Sequence, residues 1–114
     1  MNMAKTHYNE DWKAKNIHKV KWPEIQRAMF IEMTWRPSAT TQAAAWALGI
    51  AGPEFKGRDS IGPRTLKAIN ELTTHTERQS FINKFKQYML EYIQRIDSPD
   101  KKGYIRRLNI ATTP

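Results

Sequence analysis

The chain has 114 residues, no cysteine, and 19 Lys and Arg against 11 Asp and Glu, for a formal net charge of +8. That length supports one domain with a modest core, the missing cysteines exclude disulfides and thiolate metal sites, and no apolar run nears the ~20 residues of a membrane span. The pI near 9.9 suits an anionic partner, whether nucleic acid, an anionic lipid surface or the acidic polymers of a bacterial wall, although lysines scattered from Lys5 to Lys21 serve solubility equally well.

Only 39% of residues are apolar, so the core must be economical, and four Trp supply the large buried surfaces it needs. Met1 to Lys5 lacks the apolar stretch of a signal peptide. The expected location is therefore cytoplasmic until release or export by another route. Thr6 to Lys15 reads as a short helix with Thr6 as N-cap and Tyr8 and Trp12 on one face. Asn16 to Lys21 reads as a basic connector anchored by Ile17 and Val20.

Trp22-Pro23-Glu24 opens the next helix, with proline at its first position and an acid in its first turn. It is expected to carry Ile25, Met29, Glu32 and Met33 on one side and to run to about Trp35, where Arg36-Pro37 ends it. Ser38 or Thr40 then caps a helix whose Ala43-Ala44-Ala45-Trp46-Ala47-Leu48 stretch is small-sided enough to be central, with Trp46 buried and Gly49 as C-cap. Ala51 to Ile61 reads as a loop.

Arg58 to Asn70 organises the rest. Gly62 offers backbone angles closed to other residues, and Pro63 suits a first helical position. Leu66, Ile69 and Leu72 follow on one apolar side of a helix ending near Thr73-Thr74. The same residues also fit an ordinary helix start. From Thr76, read as N-cap with Gln79 in the capping-box position, Phe81, Ile82, Phe85, Tyr88, Met89, Tyr92, Ile93 and Ile96 keep the helical period. Asp97-Ser98-Pro99 stops that helix. A last short one holds Tyr104, Ile105 and Leu108, and Ala111 to Pro114 reads as a loose tail. The fold class is all-α, a compact bundle of five to six helices, in a single domain over residues 1–114.

His7, His18 and His75 share no metal-ligand spacing, and no HExxH, Walker loop or GxSxG occurs, so neither metal nor cofactor is expected. Glu32, in an apolar setting, is the one carboxylate whose surroundings would raise its pKa; a hydrogen-bonded place at the helix rim suits it as well. Arg58, Arg64 and Lys67 surround a helix N-terminus, whose free N–H groups and dipole favour an anion. Trp35, Trp46 and Tyr104 offer flat faces for sugar rings or bases, or else belong to the core.

Several segments resemble, in order, the C-terminal part of the bacterial and phage muramidases of glycoside hydrolase family 108, including their predicted peptidoglycan-binding domain. Tyr8-x-x-Asp11-Trp12 is similar to the family's acidic-aromatic helix end, Ala28-Met29-Phe30 to its "A-x-LFD" helix, and Gln42 to Gly49 to its "LQxALG" segment. Ile61-Gly62-Pro63-Arg64-Thr65-Leu66-Lys67-Ala68-Ile69-Asn70 matches "IGPKTLxAIN", and Gly103 to Asn109 resembles the closing "GWLNRVN". The resemblance implies a lysozyme-like C-terminal lobe and a wall ligand, contacted by Trp35, Arg58, Asp59, Arg64, Thr65, Lys67 and Tyr104.

The departures bear on activity. The family's catalytic glutamate lies in an N-terminal Glu-Gly-Gly-Tyr segment that this sequence lacks. Two polar cleft positions fall near Ile31 and Trp35, and the closing Trp is Tyr104. Hydrolysis thus has no evident acid beyond Glu32. The expectation is a peptidoglycan-associated module without catalysis of its own. Its alternatives are the C-terminal half of a split muramidase completed by another chain, or a scaffold reused to bind nucleic acid or inhibit a host protein. The surface once facing a catalytic lobe also invites a homodimer or a partner protein.

Overall fold

A computed structural model describes residues 16–31, 37–50, 62–96 and 99–113, and among these every regular element is helical. A 3-10 turn, Ile17–Lys19, precedes α1 (Pro23–Met29), α2 (Pro37–Ala47), α3 (Pro63–Asn70), α4 (His75–Arg95) and α5 (Lys101–Thr112). The all-α expectation holds for the described residues. The helix expected over Thr6 to Lys15 and the loop from Ala51 to Ile61 lie outside them.

The architecture follows from α4. Phe81, Ile82, Phe85, Met89 and Ile93 form a buried stripe along this 21-residue helix, while Tyr88, Tyr92 and Ile96 are half-buried beside it. α2 makes the most extensive helix contact with α4, followed by α5 against α4 and then α1 against α5. Small side chains permit the first of these: Ala43, Ala44 and Ala47 belong to the same core as Phe85 and Met89. Val20, Ile25, Met29, Ile69 and Leu108 complete that core from the other segments. The radius of gyration, 13.2 Å, is that of a compact chain of this length.

Helix ends show where local chemistry decides. Gly49 has φ +72°, and its N–H bonds to Trp46 O (3.0 Å) while the Ile50 N–H bonds to Ala45 O (2.9 Å). This is a Schellman stop requiring the left-handed region that glycine tolerates, as expected. α4 is capped by Thr74 and not by Thr76. The Glu77 N–H donates to Thr74 Oγ1 at 3.1 Å and the Thr74 N–H to Glu77 Oε1 at 3.3 Å, a reciprocal box in which a charged carboxylate outcompetes the Gln79 amide.

Three other boundaries differ from expectation. α1 stops at Met29, because Phe30 leaves helical ψ (34°) and turns into the core, so Trp35 is not its end. Pro37 does not merely terminate what precedes it but starts α2, and Thr40 is buried inside that helix rather than capping it. α3 ends at Asn70, whose side chain accepts from the Lys21 N–H (2.9 Å) and donates to Lys19 O (3.1 Å), tying this helix to the connector. Of the connector's two expected anchors, Val20 is fully buried and Ile17 is exposed.

The C-terminal segment is helical rather than loose. Ala111 and Thr112 are buried, Thr112 Oγ1 donates to Leu108 O (2.7 Å), and the Arg27 guanidinium reaches Ala111 O (3.4 Å) and Thr113 O (3.5 Å). Trp46, expected to be buried, is only partly so: it packs against the core and tilts against Tyr88 with ring centroids 5.7 Å apart.

Arg78 joins three segments at the head of α4. It pairs with Glu24 of α1 (3.3 Å), donates to Leu72 O (3.1 Å) and Thr73 O (2.7 Å), and lies 4.3 Å from the centre of the Trp22 ring. Replacing it removes all of these together and leaves a half-buried carboxylate unpaired. Arg78→Ala should therefore lower the unfolding free energy by about 2–3 kcal/mol in urea titrations, and a loss below about 0.5 kcal/mol contradicts this role.

Tyr88 donates its hydroxyl to Gln42 Oε1 (3.0 Å), and burial pushes its phenol above the ordinary value of 10.0, with the Arg95 charge opposing and the Glu91 charge adding. A raised folded-state pKa contributes stability that is complete below pH 10 and lost as pH rises through the folded value. Tyr88→Phe should cost about 1 kcal/mol at neutral pH. It should also lose less stability than wild type between about pH 9 and 11; equal alkaline losses would refute the assignment.

Candidate functional site

The segment singled out by sequence lies where the end of α2 meets the start of α3. Thr41, Ala45 and Ile50 face Gly62, Pro63, Arg64 and Thr65 across a cavity of about 170 Å³. Its formation follows from the two helix ends. The Schellman turn brings Ile50 back over Ala45, and the alanine leaves space that a larger side chain would fill. On the other side Pro63 occupies the first helical position, and the Leu66 N–H returns to Gly62 O at 2.9 Å.

Gly62 does not use the backbone freedom expected of it. Its φ of −70° and ψ of 157° are extended angles that any residue adopts. The glycine instead contributes an absence: it gives the helix no capping side chain and borders the cavity with no side chain of its own. No acid occupies the first turn of α3. The positive end of its dipole is therefore reinforced by the exposed Arg64, while the exposed Lys67, three residues later on the same helical side, belongs to the last turn.

The predicted residues thus divide. Arg64 and Thr65 border the cavity, Arg64 exposed and Thr65 buried. Lys67 is exposed one turn further along α3 and does not line the cavity. Tyr104 belongs to α5 and is 6% exposed within the core cluster, so it presents no open face for a ring. The Arg107 guanidinium lies over its ring, 5.7 Å from the centroid. Glu32, Trp35, Arg58 and Asp59 lie outside the described residues.

Among the described residues that line this cavity there is no Asp or Glu. Glu24 and Asp100 pair with Arg78 and Arg107, Glu77 serves the capping box, and Glu71 and Glu91 are exposed. Among the described residues no group of three His, Asp or Glu is placed to hold a metal ion. The arrangement can hold a small uncharged substituent and attract an anionic group at its edge. At about 170 Å³ the cavity is below the ~300 Å³ at which whole-ligand pockets begin, so it suits a side group rather than a sugar ring.

The sequence missed one surface. A larger groove of about 540 Å³ runs between the 3-10 turn, α1 and α5, with Ile17 and Ile110 on its walls. Ile110 lies just beyond Tyr104, Ile105 and Leu108, the residues that define the last expected helix, and the helix carried past Leu108 reveals which way it faces.

If Gly62 is not required by the backbone, a capping side chain there should be tolerated. Gly62→Ser should raise stability by about 0.5 kcal/mol, read from thermal unfolding, by supplying an N-cap and reducing unfolded-state freedom. A destabilisation above about 1 kcal/mol would show that the site has no room for it.

No family model matches this chain, and neither the curated proteins nor the solved structures yield a match.

Proposed function

We propose that this chain is a non-catalytic, peptidoglycan-associated binding module with the architecture of the C-terminal lobe of family 108 muramidases. The reading rests on the Ile61 to Asn70 signature, and one observation carries it further: the first turn of the signature's helix holds a basic residue and no acid, and it opens beside a small cavity. Wall glycans carry acetamido groups and short peptides with free carboxylates. A carboxylate suits the α3 N-terminus with Arg64 and Lys67, and a methyl-sized group suits the space beside Ala45.

Catalysis has no support in this arrangement. The 114 residues contain no Glu-Gly-Gly-Tyr segment, and no described carboxylate faces the cavity. A second reading, a muramidase half completed by another chain, draws on the groove in which Ile17 and Ile110 are exposed.

The test is a pull-down on purified sacculi at moderate salt, run beside a turbidity assay of the same material. Binding without clearing is the expected result. The double substitution Arg64→Glu with Lys67→Glu should weaken binding roughly tenfold or more while leaving thermal unfolding nearly unchanged, since both side chains are exposed. Failure of the wild type to co-sediment overturns the reading, and clearing would mean that an acid operates, with Glu32 the first residue to replace.

A further inference from the structure

Among the described residues the exposed large apolar side chains are Ile110, at 69%, and Ile17, at 40%, and both line the groove between α1 and α5. Phe30 and Ile31 extend its apolar wall, while Arg27 and Arg107 supply its charge. No acid lines it. The volume of about 540 Å³ falls within the range of formed binding pockets, about 300–1,000 Å³.

Its walls are fastened. Arg27 spans from α1 to the carbonyls of Ala111 and Thr113 at the end of α5. The Gln26 amide donates to Ile17 O (3.0 Å) and to Val20 O, holding the 3-10 turn against α1. A preformed groove loses little entropy when it is filled.

Charge selects what fills it. Any occupant that covers Ile110 and Ile17 also draws water away from Arg27 and Arg107. Arg107 keeps its Asp100 partner and Arg27 its two carbonyls, but neither contact replaces the hydration both cations lose when covered, so a favourable occupant brings its own anions. Arg107 donates to Asp100 at 3.4 Å and lies over the Tyr104 ring, and a guanidinium carries five donors. Around it α5 holds Lys101, Lys102 and Arg106 and no acid. A second copy of the chain is disfavoured, because a two-fold contact sets this basic face against itself. A bilayer is also a poorer fit than a chain segment, since the surface is concave and interfacial helices present an outward apolar face.

We propose that the groove docks an acidic segment of a partner protein, which places aliphatic or aromatic side chains between Ile17 and Ile110 and carboxylates against Arg27 and Arg107. Among the described residues the groove shares no lining residue with the cavity at the start of α3, so this inference stands apart from the wall reading.

The experiment selects binders to the full chain from a displayed library of random peptides about 16 residues long. Enriched peptides should combine apolar residues with an excess of Asp and Glu. Ile110→Glu, at a largely exposed position that leaves the circular dichroism spectrum intact, should weaken them at least tenfold, and Arg107→Glu should turn the selection toward basic peptides. Enrichment of neutral or basic peptides by the wild type, acidic peptides indifferent to both substitutions, or no enrichment would overturn the proposal. So would binding to phosphatidylcholine vesicles with about 30% phosphatidylglycerol that Ile110→Glu abolishes, which would assign the face to a membrane.

Discussion

Burial of one face of α4 is the constraint on which the other elements depend. Five large apolar side chains from Phe81 to Ile93 are withdrawn from water along a single helix, and each contributes on the order of 1.5–3 kcal/mol when fully buried. A stripe that long cannot be covered by one short helix. α2 covers part of it with alanines that let the two backbones approach, and α5 covers more with Tyr104 and Leu108. α1 closes the remainder through Ile25 and Met29. Arg78 then fixes the start of this spine against the start of α1, with polar contacts that would be costly to leave unmade.

That arrangement produces two separate surfaces of different chemistry. On one side, the alanines that admit α2 to α4 continue at Ala45 to a small cavity at the start of α3, where backbone dipole and lysine or arginine charge favour an anion. On the other, α1 and α5 meet through Arg27 but leave a larger apolar groove open between them. The first surface is polar at its rim and narrow, which fits a side group of a polymer. The second is wide and apolar, which fits a chain segment.

The sequence made the long-period features legible. The α4 stripe, the glycine stop at Gly49 and the proline start at Pro63 each follow from local physics strong enough to survive any packing, and all three stand as expected. What it left ambiguous were contests between near-equal local choices. Thr74 with Glu77 and Thr76 with Gln79 both have capping-box spacing, and the charge on Glu77 separates them. Phe30 could continue α1 by propensity, but the core takes it instead. The last residues look polar and loose until Arg27, 84 positions earlier, supplies donors to their carbonyls. For the candidate site, the basic helix start was readable and its cavity was not, because the cavity depends on Ala45 from another helix. For Tyr104 the sequence leaves open a flat face for a ligand or a place in the core, and its position in the helical period beside Leu108 sends it inward.

The central functional claim is that the α3 start, and not the α1–α5 face, meets the wall polymer. The most direct measurement is a nitrogen-15 NMR titration of the chain with a soluble disaccharide-peptide fragment of peptidoglycan. The account predicts shifts concentrated at the amides of Gly62, Arg64, Thr65, Lys67 and Ala45, with those of Arg107 and Ile110 unmoved. Shifts confined to α5 and the 3-10 turn, or none at saturating fragment, would contradict it.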